Sequence, residues 1–344
     1  MTTKVPFFLA LFVMIVLEGT KAPAAEGVHV TITDEHIDFL VGKDLIGRYH
    51  KGPNVAKPYF WPLHGPNGER ITRAWPMEKG QPGESTDHVH QKSFWFCHGD
   101  VIPEGIELKV KSTDKSVKGI DFWSEGRGHG QIVCTQVAEP KSDAKHGQVS
   151  THNEWRTSDG IKILDEARTI HLYNLEGARL FVFDIDLEAS MVPITFGDTK
   201  EGAFGIRIND AVREEIDVNK KKTKGPGRIE NAEGKVGEKA CWGYVSAWCD
   251  YSGPLSGKVV GLAIFDDPKN PYPACWHSRG YGLMAANPFG RAHSGFPAMK
   301  EKTELVKLAK GEHLKLRYGL LIHSGDAKEG RVAQFFEQFV KLKG

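Results

Sequence analysis

The sequence predicts an all-β sandwich with one C-terminal helix. Three observations carry that prediction. Apolar and polar residues alternate with period two in segments spread along the chain, which turns one face of each segment toward a core. Glycine is abundant, 38 of 344 residues, and many glycines stand at turn positions between those segments. Helical spacing is convincing only at the carboxyl end. Many strands followed by one late helix indicate two sheets packed face to face.

In chain order, Val28, Val30 and Ile32 alternate with His29, Thr31 and Thr33. Ile106, Leu108 and Val110 alternate with Glu107 and Lys109 and predict another strand. Leu180 to Leu187 alternates cleanly toward its end, Gly257 to Asp267 is a plain apolar strand, and Leu314, Leu316 and Tyr318 alternate with Lys315 and Arg317. At the end, Asp326 with Glu329 resembles a capping box. Val332, Phe335, Phe336, Phe339 and Val340 then form an i, i+3, i+4, i+7, i+8 stripe, the pattern of a helix packed on a sheet. The Lys-rich stretch from Lys220 to Gly227 predicts a solvated loop, with a flap over a site as the functional alternative. No internal repeat and no linker divide the chain, so residues 25–344 are expected to form a single β-sandwich domain.

Residues 1–24 have the layout of a secretory signal peptide. Lys4 precedes an apolar run from Val5 to Leu17, and Ala22-Pro23-Ala24 supplies a small-x-small cleavage site. A spanning helix needs about 20 apolar residues, so the run is short for an anchor. The cleaved chain carries 43 basic and 43 acidic residues. Such a balance disfavours a nucleic-acid partner, which requires a basic face. The composition, 40% hydrophobic and 26% charged, excludes disordered and fibrous classes. The expectation is a periplasmic or secreted protein with no membrane contact after cleavage.

Five cysteines, Cys97, Cys134, Cys241, Cys249 and Cys275, cannot all pair, and none has CxxC spacing. On one extended strand Cys241 and Cys249 would lie about 26 Å apart, too far to bridge. Buried free thiols are the favoured reading, with a single bridge as the alternative.

Chemistry concentrates between Pro58 and Trp123. This window holds four of the eight tryptophans, Trp61, Trp75, Trp95 and Trp123, with His64, His88, His90, His98, Arg70, Arg73, Asp87, Asp100 and Asp121. Long irregular segments in a compact domain are usually functional or disordered. Asp87-His88-Val89-His90-Gln91 is the sharpest pattern. If extended, it sets both rings on one side. The pair suits acid–base work near neutral pH, or two ligands of a divalent metal completed from elsewhere, with Asp87 as an outer acceptor. A second cluster runs from Pro271 to Gly282 and on to Gly290. In it His277 and Arg279 alternate on one face and Asn287 follows; a guanidinium fork suits carboxylates or vicinal hydroxyls. A third, Phe196 to Arg207, holds Lys200 and Glu201 in a Gly-bounded turn.

These motifs resemble a bacterial family labelled PmoA, or "methane oxygenase PmoA". The resemblance is carried by Lys57 to Pro66, Thr72-Arg73, Asp87 to His90, Trp95 to Asp100 and Asp121-Phe122-Trp123. Downstream it is carried by Thr199 to Gly202, Trp248 to Gly253, Trp276 to Gly282 and Ala286 to Phe289. It covers nearly the whole mature chain and implies a secreted protein of planctomycete-type bacteria. Where that family reads Asp-His-Pro-His-His, this chain has Val89 and Gln91. An Asn-Gly before Asp-Phe-Trp is replaced by Lys118-Gly119-Ile120. The label implies a membrane oxygenase subunit, which a mature chain without a spanning segment contradicts. The strand pattern instead resembles the galactose-mutarotase type of β supersandwich, which implies a sugar ligand.

The expected function is therefore that of a carbohydrate-active acid–base enzyme: an epimerase, lyase or hydrolase. His88, His90, His277, Glu201 and Asp121 are the candidate catalytic groups. Trp61, Arg73, Trp95, Trp276, Arg279 and Asn287 are the candidate substrate-binding groups. Two alternatives from other classes are a non-catalytic glycan-binding module and a metal-dependent oxidoreductase with a divalent metal on His88 and His90.

Overall fold

The computed structural model describes residues 27–218 and 221–342, together with Met1; the signal-peptide segment lies outside the described residues. Two large antiparallel sheets make the sandwich that the alternation predicted. One sheet has eight strands, in the spatial order Val28–Ile32, His36–Val41, Asp44–His50, Tyr59–Leu63, Phe94–His98, Gly202–Arg207, Leu283–Asn287 and Cys275–Trp276. The other has nine. Its path runs Arg228–Asn231, Trp248–Leu255, Lys258–Asp266, His313–Ser324, Ala178–Glu188, Lys162–Leu175, His146–Arg156 and Gln131–Val137, with Lys141–Ser142 paired to His146–Arg156.

Register decides which side chains face the core. Phe60 pairs with Phe94, Phe94 with Ile206 and Ile206 with Met284, so this row shares one face. That face is interior. Phe94 and Phe204 lie 5.0 and 5.1 Å from Phe183 of the opposite sheet, and Phe204 stacks on Tyr318 at 4.8 Å. Each such ring stabilises the fold by roughly 1.5–3 kcal/mol through burial. The adjacent row, Tyr59, Trp95, Gly205 and Ala285, must therefore face outward from the sandwich. His277 joins it, exchanging backbone hydrogen bonds with Ala285.

Three sequence expectations are corrected. Residues 106–110 are not a strand. Their exposure alternates as the pattern required, but no partner pairs with them; half-burial against the core margin produces alternation without a ladder. The Lys-rich stretch is not a loop throughout, because Glu215–Val218 and Lys221–Lys224 form a hairpin. Cys241 and Cys249 are not on one strand. Cys241 ends a short helix, Glu238–Cys241, and the chain turns back so that Cys249 lies beside it. Burial first, then the neighbouring Cys241 thiol, push the Cys249 thiol well above its ordinary range. All five cysteines are free.

The C-terminal helix, Val332–Lys341, lies on the outer face of the nine-stranded sheet. It buries Val332, Phe335 and Phe339 against Leu180, Val182, Phe265 and Leu321. Asp326 does not cap it. Its Oδ1 accepts from the Lys328 and Glu329 amides and closes the preceding turn, while Arg331 enters the helix in the left-handed region. Among the described residues no helix is long and apolar enough to cross a membrane.

Candidate functional site

The outward row of the eight-stranded sheet is floored by small residues, Gly205 and Ala285. The segment from Ala74 to Ser93, which has no strand of its own, crosses beside it and delivers Asp87, His88 and His90. This segment is held by two fully buried arginines. Arg73 donates through Nη1 to Asp87 Oδ1 and, at 3.2 Å, to Ser85 Oγ; through Nη2 it donates to the His88 carbonyl at 3.1 Å. Arg207, at the end of its strand, donates to Gln91 Oε1 at 2.6 Å, to Asp87 Oδ1 at 3.0 Å and to Ser85 Oγ at 3.2 Å. Burial alone would raise the Asp87 carboxyl. The His88, Arg207 and Arg73 contacts outweigh it and hold Asp87 far below the usual carboxylate range.

Asp87 Oδ2 lies 3.0 Å from His88 Nδ1. An ionised carboxylate only accepts, so Nδ1 of a neutral His88 carries the proton and Nε2 presents its lone pair. The His88 backbone is in the left-handed region, at φ +43°, which costs a non-glycine residue about 1–2 kcal/mol. Its ring lies parallel to Tyr281 at 5.3 Å and edge-on to His90 at 5.7 Å. Tyr281 also faces the Arg207 guanidinium at 4.6 Å and that of Arg279 at 5.6 Å.

His90 is half-buried, 6.5 Å from the Trp123 ring. Burial, then the Lys57, His88 and Arg73 charges, push its pKa down to about 3. His277 is also pushed down to about 3, by burial first and then by Arg279 and Lys200. The Lys200 backbone pulls the other way but makes no bond of full geometry, so both His277 ring nitrogens lack a hydrogen-bond partner. Both imidazoles are neutral at pH 7. Glu201 has the opposite bias: desolvation raises its carboxyl despite Lys200, 3.7 Å away, and the nearby His88. Buried polar atoms without a protein partner gather on this face. They include the indole nitrogens of Trp95 and Trp123 and both nitrogens of His277. Such atoms are uncommon in folded proteins and call for a cause.

Of the residues singled out from the sequence, the structure brings His88, His90, His277, Glu201 and Arg279 into this electrostatic neighbourhood. Others have different work. Arg73 is fully buried and spent on Asp87 and the His88 carbonyl, so it positions the segment and does not hold substrate. Asn287 uses Nδ2 on the Thr199 and Lys200 carbonyls and Oδ1 on the Phe289 and Gly290 amides, which fixes the Lys200–Glu201 turn. Asp121 Oδ1 accepts from the Trp123 and Ser124 amides and shapes that turn. Trp276 is corrected outright. It shares the Phe204 and Ala286 row, is 0% exposed and gives its indole N–H to the Ser246 carbonyl, so no ligand can stack on it. Trp95 faces the right way but lies beneath Trp123, 5.1 Å ring to ring. Trp61 is half-buried against the core and stacks on none of the site rings among the described residues. His98 points inward and bonds the Gly197 carbonyl at 2.8 Å.

Arg207, Gln91 and Tyr281 were not singled out. Arg207 had a signal: an arginine ending an otherwise uncharged run, Gly202 to Ile206. Among the described residues no group of three or more His, Cys, Asp or Glu side chains is arranged to hold a metal ion. His88 gives Nδ1 to Asp87, which leaves Nε2 as the ring atom open to a proton or a ligand.

Several solved structures are similar in fold. Galactose 1-epimerase from Lactobacillus acidophilus NCFM is 8% identical, with TM-score 0.40 over 87% of this chain and 99% of its own. A galactose mutarotase related enzyme from Lactobacillus acidophilus is 6% identical, with TM-score 0.35 over 86% of this chain and 97% of its own. The GH36 α-galactosidase AgaA from Geobacillus stearothermophilus is 6% identical, with TM-score 0.38 over 87% of this chain and 40% of its own. The chain thus spans about two-fifths of the length of the α-galactosidases it matches. No curated protein matches the chain. Residues 36–337 match the model of DUF6807, a family of unknown function, and the chain belongs to that family.

Proposed function

We propose that this chain is a periplasmic or secreted carbohydrate-active enzyme that moves protons on a bound sugar. One observation carries the reading: the Asp87–His88 pair, locked by two buried arginines and presented at an aromatic-lined surface. His88 Nε2 is the base, with Asp87 fixing the tautomer and stabilising the imidazolium as it forms. Glu201, whose desolvated carboxyl holds its proton more tightly than usual, is the acid. Half-buried His90, neutral at pH 7, and Arg279 bond hydroxyls, whereas His277 is fully buried. Tyr281 holds the His88 ring in its plane. A base and an acid held in one neighbourhood suit epimerisation, elimination or hydrolysis. Export is supported by the basic, apolar and small-residue order of the first 24 residues.

The test offers exported, purified protein a panel of neutral and acidic sugars and follows products by NMR. Wild type should convert at least one sugar. His88→Ala should slow conversion by roughly 10²–10⁴-fold, and Glu201→Gln should remove the alkaline limb of the pH profile, which the general acid sets. Saturable binding with no product, unaffected by His88→Ala, would overturn the enzymatic reading in favour of a glycan-binding module.

A further inference from the structure

The hairpin Glu215–Val218 and Lys221–Lys224 walls a second cavity of about 1030 Å³ whose lining includes Glu214, Lys222, Lys224, Glu238, Lys239 and Trp242. This cavity adjoins the site. Glu238 Oε1 lies 2.9 Å from Arg279 Nε, and Glu238 Oε2 accepts from the Gly280 amide at 2.6 Å. Gly280 lines the cavity, and its carbonyl accepts from the Glu215 amide at 2.8 Å. Arg279 in turn lies over Tyr281, on which His88 stacks. The contacts from His88 to the cavity are therefore unbroken. Glycine at 280 is required by the close approach of the hairpin, since a Cβ there would stand 2.9 Å from Glu215 Cβ.

We infer that this cavity is a subsite for further units of the same ligand, so that the substrate is a neutral oligosaccharide and not a free monosaccharide. The inference rests on the sugar reading above. Its size reaches the upper end of small-ligand pockets, about 300–1,000 Å³, and leaves room for more than one ring. Its charges cancel. Glu215 pairs with Lys222 at 2.6 Å, Glu238 with Arg279, and Glu214 Oε2 accepts from the Glu238 amide at 2.8 Å. The lining itself holds three carboxylates, Glu214, Glu215 and Glu238, and three ammoniums, Lys222, Lys224 and Lys239, so it selects neither an anion nor a cation. Trp242, edge-on to Phe296 at 5.3 Å, carries an indole N–H without a partner. An indole beside donors and acceptors is the surface on which a sugar lays its C–H face while its hydroxyls bond.

The test is calorimetric titration of the whole protein with neutral gluco-, galacto- and manno-oligosaccharides of one to five units. Kd of the wild type should fall about tenfold or more between one and three units. Trp242→Ala should erase that gain and leave the one-unit Kd within about twofold. Lys239→Trp, at an exposed rim position, should do the same by filling the cavity, which guards against misfolding of the first variant. A wild-type Kd independent of length overturns this inference alone, as does equal weakening of short and long ligands by both variants. Failure of every sugar to bind overturns the functional reading and this inference together.

Discussion

The two outer faces of the sandwich both carry histidine–carboxylate pairs, yet they are built differently. On the nine-stranded sheet, His146 Nε2 meets His171 Nδ1 at 3.0 Å, His171 Nε2 meets Asp184 at 3.0 Å, and Asp184 meets Arg317 at 3.1 Å. Every member sits on a regular strand and bonds its neighbour across the ladder. On the eight-stranded sheet, His88 sits on irregular backbone, stacks on an aromatic ring and is surrounded by buried polar atoms without partners. A histidine–aspartate contact alone therefore marks nothing. The site is distinguished by irregular backbone and by the unbonded imidazole nitrogens of His277, since the ladder face also keeps buried donors without hydrogen-bond partners at Arg317.

The largest expected effect breaks the comparison directly. His88→Ala should slow turnover by roughly 10²–10⁴-fold and shift the melting temperature little, because the side chain is 41% exposed. His171→Ala should leave turnover intact and cost about 1–3 kcal/mol, since it strands His146 and Asp184. A shared loss of stability, or a shared loss of activity, would erase the distinction.

Arg73→Met comes next. It takes a charged donor from Asp87 and the His88 carbonyl, and should destabilise by about 1.5–3 kcal/mol in urea melts. It should also slow turnover through misplacement of His88; a stable variant with full activity would remove Arg73 from the positioning role.

A smaller effect concerns pH. His90 and His277 titrate near 3 in the folded chain and near 6.5 in the unfolded chain. The unfolded chain thus binds more protons between those values, so stability rises with pH there. The contribution is complete above about pH 6.5 and drains as pH falls toward 3. Melting temperatures of His277→Gln between pH 7 and 4 should fall less steeply than those of wild type. Parallel curves would mean that His277 is not held neutral.

The smallest effect is Asp186→Asn on the ladder face. Asp186 pairs at 2.8 Å with the half-exposed His313, and surface ion pairs contribute about 0–1 kcal/mol. Thermal melts should shift little and turnover should not change.

The strands were legible because each sheet is wet on part of one face, so burial writes itself as alternation. The Leu314 to Tyr318 and Leu180 to Leu187 runs pair in register across one ladder, as their patterns allowed. The stretch from Ile106 to Val110 shows the limit, since alternation records half-burial and not pairing. The site was legible as a crowded window, and His88 with Asp87 stood out by residue type. What could not be read was division of labour. Arg73 and Arg207 look alike as ligand-binding arginines until register shows both beneath one loop. Trp276 and His277 are adjacent in sequence, but the period of two sends one inward and the other outward.

The paired guanidiniums under Asp87 have one more consequence. Burial, followed by the Arg73 charge, pushes Arg207 down to about 10, a sign that two cations share a small space and depend on the carboxylate between them. Asp87→Ala would leave a preformed anion seat beneath a partly open loop. Formate or acetate, small enough to enter, should then act as a removable prosthesis: millimolar carboxylate would restore the seating of His88, and dialysis would take it away.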